Sequence, residues 1–155
     1  MPQLLGEYEC KIDAKGRMRM PSMLIKQLAG EGELTFVINR GIEPCLTLYP
    51  KDVWDKIVKK VNGLNTYIKK NRDFIRYFYR GATELALDSS DRVLLPKRLT
   101  EYAGIEKEVI LFAVNDRIEI WSANKFDNLI EEEPSDFSTL AEDVMGGMTE
   151  EKEEE

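Results

Sequence analysis

The chain has 155 residues, which is enough for one domain or for two small halves that share a core. Its hydrophobic content of 43% and charged content of 33% are ordinary for a soluble globular protein, and the lack of a long apolar run or a signal-peptide pattern leads us to expect a cytoplasmic protein without a membrane span. The net charge of -7 does not exclude nucleic acid as a partner, because residues 131–155 carry -10 and the remaining 130 residues carry +3.

Residues 1–63 form the first of two similar halves that the pattern predicts. Its elements, in chain order, are strands over 4–12 and 17–20, a helix over 23–28, a hairpin of strands over 34–39 and 45–49, and an amphipathic helix from Pro50 to a stop at Asn62-Gly63. Pro21 ends the second strand because it cannot donate to a sheet ladder. Ser22 is a candidate N-cap, and Gly30 and Gly32 end the short helix.

Residues 64–80 are expected to connect the halves through a second amphipathic helix. Its apolar positions are Tyr67, Ile68, Phe74, Ile75 and Phe78, and its other face carries Lys69, Lys70, Arg72 and Arg76. Across residues 50–80, nine Lys or Arg stand against three Asp. We expect this basic face to be solvated or to contact another subunit rather than to bind DNA.

Residues 81–130 repeat the plan of the first half. Their elements are strands over 83–87 and 92–95, a helix over 96–103 closed by Gly104, a hairpin of strands over 109–114 and 117–121 around Asn115-Asp116, and a helix over 123–130 that Ser122 can cap. The repeat matches Asp13 to Asp88 and Arg17 to Arg92. Because a unit of roughly seventy residues is too long for a solenoid repeat, we expect two halves of one pseudo-symmetric body.

Residues 131–155 form an acidic tail. Helical spacing relates Phe137, Leu140, Ala141, Val144 and Met145, whereas Gly146-Gly147 and the acidic end are expected to be disordered. The simplest role of the tail is to keep the protein soluble. The alternative hypothesis is that the tail shields basic turns of neighbouring subunits from random DNA.

A cationic turn is the candidate binding site. Asp13 and Gly16 have the chemistry of a tight turn, and strand alternation places Lys15, Arg17 and Arg19 together on one exposed edge. The alternative is a solvated strand edge on which Asp13 pairs with Arg17. For Asp88 and Arg92, the matching residues of the second half, we favour the purely structural role of forming the turn.

The residue types argue against an enzyme. The chain has no His, and it shows no nucleophile motif, phosphate-binding Gly loop or metal-ligand cluster. Cys10 and Cys45 lie inside predicted strands without CxxC spacing, which favours free thiols in a reducing compartment. We therefore expect no cofactor, no metal site and no small-molecule substrate.

These motifs resemble the MraZ family over about residues 4–130. The resemblance rests on Leu5-Gly6-Glu7-Tyr8, Asp13-Ala14-Lys15-Gly16-Arg17, Pro21, Leu28, Arg76, Gly81-Ala82, Asp88 with Arg92, Pro96, Leu99, Tyr102-Ala103-Gly104 and Ile118-Glu119-Ile120-Trp121. A single Asp-x-x-Gly-Arg would be weak support, whereas the duplicated motif in the family's order and spacing is strong. The resemblance implies an α+β, mainly β fold of the AbrB/MazE/MraZ type, an internally duplicated double-split β-barrel with short amphipathic helices.

The resemblance also implies a function. It indicates a sequence-specific bacterial transcriptional regulator, which we expect to be a nucleoid-associated repressor of the division and cell-wall gene cluster. Such a regulator binds direct repeats of double-stranded DNA in its promoter as a ring-shaped homo-oligomer. The family's DNA-facing residues carry over to Lys15 and Arg17, and strand alternation adds Arg19.

One departure from the family pattern concerns the second motif. The family usually has Gly before the Arg and often Gln before that Gly, whereas this chain has Asp91 and Ser90 at these positions. Asp tolerates a left-handed turn, but its carboxylate beside Arg92 repels phosphate, so we expect the second turn not to contact DNA. Two other functions stay open. One is an antitoxin-like DNA-binding regulator whose tail binds a partner protein, and the other is a ring scaffold that does not bind DNA.

Overall fold

The structure is a computed structural model, and it describes residues 3–28, 34–131 and 137–147. The chain divides into two compact units, Met1–Ala123 and Asn124–Glu155. The first unit holds every described strand of both halves of the repeat, whereas residues 124–130 of the second half belong to the second unit. Within the described ranges, no helix is long and apolar enough to cross a membrane.

Eight strands build the first unit. They are β1 (Leu4–Lys11), β2 (Arg17–Arg19), β3 (Thr35–Arg40), β4 (Leu46–Pro50), β5 (Thr83–Ala86), β6 (Arg92–Leu94), β7 (Glu108–Asn115) and β8 (Arg117–Ser122). Six of them form one antiparallel sheet in the order β1-β7-β8-β4-β3-β5, and β2 pairs with β6 in a separate two-stranded ribbon. In the described residues β1 and β5 are the outer strands of an open sheet, so the barrel expected from the sequence is not closed.

The strand order shows that the two halves interlock. Exchanging β1 to β4 with β5 to β8 reverses the sheet order and leaves it otherwise unchanged. The pseudo-twofold axis passes between β4 and β8 at Thr47 and Glu119, and between β2 and β6 at Met18 and Val93. Each half therefore supplies strands that the other half needs, and the prediction of one pseudo-symmetric body is confirmed.

Six helices accompany the strands in the described residues. They are α1 (Ser22–Leu28), α2 (Lys51–Asn62), α3 (Lys69–Tyr79), α4 (Lys97–Ala103), α5 (Ala123–Glu131) and α6 (Phe137–Met145). Each helix lies where the sequence predicts one, and Gly104 closes α4 in the left-handed conformation with a φ of 65°. The predicted stops at Gly30 and Gly32 lie outside the described residues, as does the acidic end after Gly147.

The main core lies on one face of the sheet and draws on both halves. Its largest fully buried side chains include Met18, Phe36, Leu48, Val93, Leu111 and Ile118. The opposite face is covered in the first half by α2, where Val37 and Tyr49 of the sheet pack with Val53 and Trp54. Because both faces are covered there, every residue of β4 is buried.

The predicted turn after Asp13 joins two strands that do not pair with each other along their length, because β1 pairs with β7 and β2 pairs with β6, which leaves one bridge between Ile12 and Met18. Two local predictions need correction. Ser22 is the first residue of α1 rather than its cap, and the carbonyl of Pro21 accepts from the N–H of Ile25. Gly146 lies in a turn whose N–H donates to the carbonyl of Glu142.

Candidate nucleic-acid interface

The first turn is built around the carboxylate of Asp13. Its Oδ1 accepts hydrogen bonds from the backbone N–H groups of Lys15 and Arg17, both at 2.9 Å, and its Oδ2 accepts from Nε of Arg17 at 2.9 Å. Gly16 takes a φ of 89°, which side chains rarely adopt, and its N–H donates to the carbonyl of Asp13. The carboxylate thus shapes the loop and fixes the guanidinium.

These hydrogen bonds also set the charge state of the turn. The backbone N–H of Arg17, and then its side chain, lower the pKa of Asp13 below the ordinary value of 3.8. Arg17 keeps about a third of its side chain exposed, and Lys15 and Arg19 are exposed. The ion pair uses Nε, so the terminal nitrogens of the guanidinium are not needed for it. Both the solvated-edge interpretation and the binding interpretation fit this geometry.

The second turn repeats the first. Oδ1 of Asp88 accepts from the backbone N–H groups of Ser90 at 2.8 Å and Arg92 at 2.9 Å, and Oδ2 accepts from Nε of Arg92 at 3.1 Å. Asp91 replaces the glycine and adopts a φ of 60°, the left-handed conformation that the sequence analysis expected it to tolerate. The pKa of Asp88 is lowered, and the largest cause is the hydrogen bond from the backbone N–H of Arg92.

The ribbon of β2 and β6 brings the two turns into one surface. Arg17 lies opposite Leu94, Met18 opposite Val93, and Arg19 opposite Arg92. Alternate residues of a strand share a face, so Met18 and Val93 are fully buried while the outer face carries the other four side chains. We name this outer face, made of Arg17, Arg19, Arg92 and Leu94, the arginine ribbon.

The turns lie at opposite ends of the arginine ribbon. The carbonyl of Gly16 accepts from the N–H of Leu95 at 2.9 Å, and the carbonyl of Asp91 accepts from the N–H of Met20 at 2.8 Å. Each turn is thereby tied to the strand of the other half. Arg92, which the sequence analysis treated as a structural residue of its own turn, lies directly across from Arg19.

The comparison with known proteins decides the family. The family model described as "MraZ protein, putative antitoxin-like" matches the chain twice, over residues 3–77 and 78–146. The chain belongs to the MraZ family. Each match contains one Asp-x-x-x-Arg turn, so each of the two MraZ repeats supplies one of the turns that the arginine ribbon joins.

Relatives that cover most of the chain support the same assignment. A "Transcriptional regulator MraZ" of Christiangramia forsetii is 47% identical over 147 residues, which is 94% of this chain and 95% of the relative. Proteins of the same name from Flavobacterium psychrophilum and Syntrophomonas wolfei are 40% and 38% identical, over 98% and 91% of this chain and 98% and 96% of the relatives. The chain is therefore a MraZ-family protein whose relatives are named as transcriptional regulators.

Other chemistry receives no support from the described part of this MraZ chain. In residues 3–28, 34–131 and 137–147, no group of three or more His, Cys, Asp or Glu side chains is placed to hold a metal ion. Cys10 and Cys45 are free thiols, as predicted. Burial is the main cause that raises the pKa of Cys45 to about 12, which disfavours the thiolate form.

Proposed function

We propose that the chain is a DNA-binding repressor that acts on the bacterial nucleoid, at direct repeats in the promoter of the division and cell-wall genes. The observation that carries the proposal is the arginine ribbon: three arginines on one outward face, in a family whose relatives are named transcriptional regulators. Lys15 extends this cationic surface at one end.

The chemistry of the turn suits a base contact. Asp13 holds the guanidinium of Arg17 by Nε, so part of the ordering entropy of a long side chain has been lost before DNA arrives. A fixed guanidinium can donate two hydrogen bonds to O6 and N7 of guanine in the major groove. Lys15 and Arg19 are exposed and suit phosphate, and half-exposed Leu94 suits contact with a thymine methyl group.

The balance of charge explains why one copy would bind weakly. The two turns and the ribbon carry four cations, Lys15, Arg17, Arg19 and Arg92, against three carboxylates, Asp13, Asp88 and Asp91. So small an excess gives little affinity at physiological salt. We propose that a ring-shaped homo-oligomer presents several ribbons at once, which raises the affinity for repeated sites through effective concentration.

Arg17→Ala tests the turn. Losing a bidentate base contact is expected to cost about 1–3 kcal/mol at each bound ribbon, so promoter binding should be abolished while the oligomer persists. The ion pair of Arg17 is exposed, and its loss should leave folding unaffected. Band shifts measure DNA affinity, light scattering measures the oligomer, and Lys59→Ala on the exposed side of α2 is the matched control. Unchanged promoter affinity in Arg17→Ala would contradict the proposal.

Arg92→Ala tests the contribution of the second half. Because Arg92 lies opposite Arg19 on the same face, we expect weaker DNA binding and a shallower dependence of log K on log salt, with a slope smaller by about one for each ribbon engaged. Fluorescence anisotropy over a salt series measures the slope. An unaltered slope would show that the second turn only stabilises the ribbon, as the sequence alone led us to expect.

A further inference from the structure

An apolar groove that shares no lining residue with the arginine ribbon opens on the first unit. It has a volume of about 220 Å³ and lies between the loop that follows β3, helix α3 and Tyr102 of α4. Ile42 is fully exposed at its edge, Tyr77 is 66% exposed and Phe74 is 51% exposed. Large side chains of this kind, grouped on one surface, mark an interaction site more often than isolated exposed ones do.

Arg40 gives the groove a cationic wall. One terminal nitrogen of Arg40 donates to the carbonyl of Tyr77 at 3.0 Å, and the guanidinium lies 5.1 Å from the centre of the Tyr102 ring. Its Nε is buried and has no hydrogen-bond acceptor among the described residues. A carboxylate is the group that matches a guanidinium best, so a groove with this wall favours an acidic partner.

The surroundings of the groove are basic as well. The polar face of α3 carries Lys69, Lys70, Arg72 and Arg76. Asp73 is the acidic residue of this helix, and it pairs with Lys69 at 2.8 Å and with Arg76 at 3.3 Å. An apolar ligand that also carries negative charge therefore matches this surface better than a neutral or basic one.

The second unit contains a segment with that chemistry. Helix α6 has no buried residue, and Phe137, Leu140, Val144 and Met145 on its apolar side are all exposed. Its remaining positions include Glu142 and Asp143, and residues 131–155 as a whole hold eleven acidic residues against one Lys. It is thus an amphipathic helix whose apolar side is exposed, in an acidic segment.

We propose that α6 of one copy docks in the groove of a second copy of this chain. Phe137 and Leu140 would cover Ile42, Phe74 and Tyr77, while the carboxylates of Glu142 and Asp143 on α6 face Arg40 and the basic side of α3. This inference rests on the self-association in the proposed function and names the surfaces that produce it. Because helix and groove are different surfaces, the contact is heterologous, and a heterologous contact whose rotation closes makes a ring.

Two exposed substitutions test the contact from both sides. Phe137→Asp and Ile42→Asp place a charge in the apolar interface, and both side chains are exposed enough for the fold to survive. Sedimentation velocity of the full chain should show both variants shifted to monomer, while Leu5→Asp, an equally exposed substitution in β1, should sediment as wild type. Circular dichroism checks that all three are folded. Folded Phe137→Asp or Ile42→Asp with wild-type mass would overturn the inference.

A cross-link decides whether the contact joins two copies. We would mix Ile42→Cys and Phe137→Cys proteins, add a short bismaleimide and compare the products with wild type, which sets the background from Cys10 and Cys45. A covalent dimer should form in the mixture and stay at background in either variant alone. Background levels in the mixture would overturn the inference.

The two proposals fail separately. If Phe137→Asp keeps its oligomer, the interface is wrong while DNA binding through the ribbon stands. If Arg17→Ala keeps its DNA affinity, the ribbon is wrong while the helix-in-groove contact stands.

Discussion

The carboxylates of Asp13 and Asp88 each accept three hydrogen bonds from the residues that follow them, and each fixes an arginine by Nε. One carboxylate therefore closes a turn and orients a cation at the same time. This dual use explains why structural and functional interpretations of the same motif do not exclude one another. Aspartate suits both tasks because its two oxygens can face the backbone and the guanidinium separately.

Acid should weaken the turns. The pKa of Asp13 is lowered in the folded protein, so its contribution to the unfolding free energy is complete above the ordinary value of 3.8 and is lost as the pH falls through the lower folded value. Asp13→Asn cannot lose a charge on acidification. Its unfolding free energy should consequently fall less than that of wild type between pH 5 and pH 3.

Urea denaturation at the two pH values measures this difference. Glu101→Gln, an exposed substitution in α4, is the control and should follow wild type. A variant Asp13→Asn that is as acid-sensitive as wild type would argue against a stabilising carboxylate in the turn.

At the scale of elements, the ribbon of β2 and β6 shows how the two halves have diverged on a common backbone. The symmetry relates Arg17 to Arg92, but it relates Arg19 to Leu94 and Gly16 to Asp91. The first half has the extra cation and the glycine, and the second half has an apolar side chain and a carboxylate. The two ends of the arginine ribbon therefore differ in charge while they share one hydrogen-bond pattern.

Asp91→Gly should separate charge from geometry at the second turn. Glycine removes the strain of an aspartate at a φ of 60°, of the order of 1 kcal/mol, but it also adds freedom to the unfolded chain, worth about 0.4–1 kcal/mol. We expect stability within about 0.5 kcal/mol of wild type, since these effects oppose each other. DNA affinity should rise because a carboxylate leaves the ribbon end.

Urea denaturation and fluorescence anisotropy test the two parts separately. Asp91→Asn keeps a side chain that tolerates the left-handed conformation and loses only the charge, so it should raise affinity to a similar extent. Unchanged affinity in both variants would mean that DNA does not approach this end of the ribbon.

At the scale of the whole molecule, the interlocking of the halves and the proposed self-association both bring several Asp-x-x-x-Arg turns together. One chain already holds two turns on a single ribbon because β2 and β6 come from different halves. Each ribbon is weakly cationic, so the proposed DNA binding requires several ribbons that engage together. Such binding is sensitive to distance along the DNA.

Repeat spacing should control binding. Two repeats one helical turn apart, about 10–10.5 bp, present the same face of the duplex to neighbouring ribbons, whereas five extra base pairs turn one repeat to the far side. Band shifts with both spacings should show a large loss of affinity for the longer one. Equal binding of the two DNAs, or of a single repeat, would contradict simultaneous engagement.

The sequence alone determined most of the local structure. Alternation, turn residues and helix stops are properties of neighbouring residues, and they located the strands, the helices and both Asp-x-x-x-Arg turns. The repeat and the family motifs also predicted a duplicated α+β fold, which is confirmed together with the family, whereas the predicted barrel is not closed in the described residues. Lys15, Arg17 and Arg19 were selected in this way, although their role in DNA binding stays a prediction.

Only the tertiary structure decided which elements meet. Every strand edge offers the same backbone donors and acceptors, so local sequence did not reveal that β2 pairs with β6 and that Arg92 therefore lies beside Arg19. The sequence signal that could have indicated this was the repeat itself, because β2 and β6 are equivalent strands of the two halves and pair antiparallel across the pseudo-twofold axis. The groove is a similar case: the apolar spacing of α3 predicted a buried face that included Phe74, but the fold leaves this side chain 51% exposed.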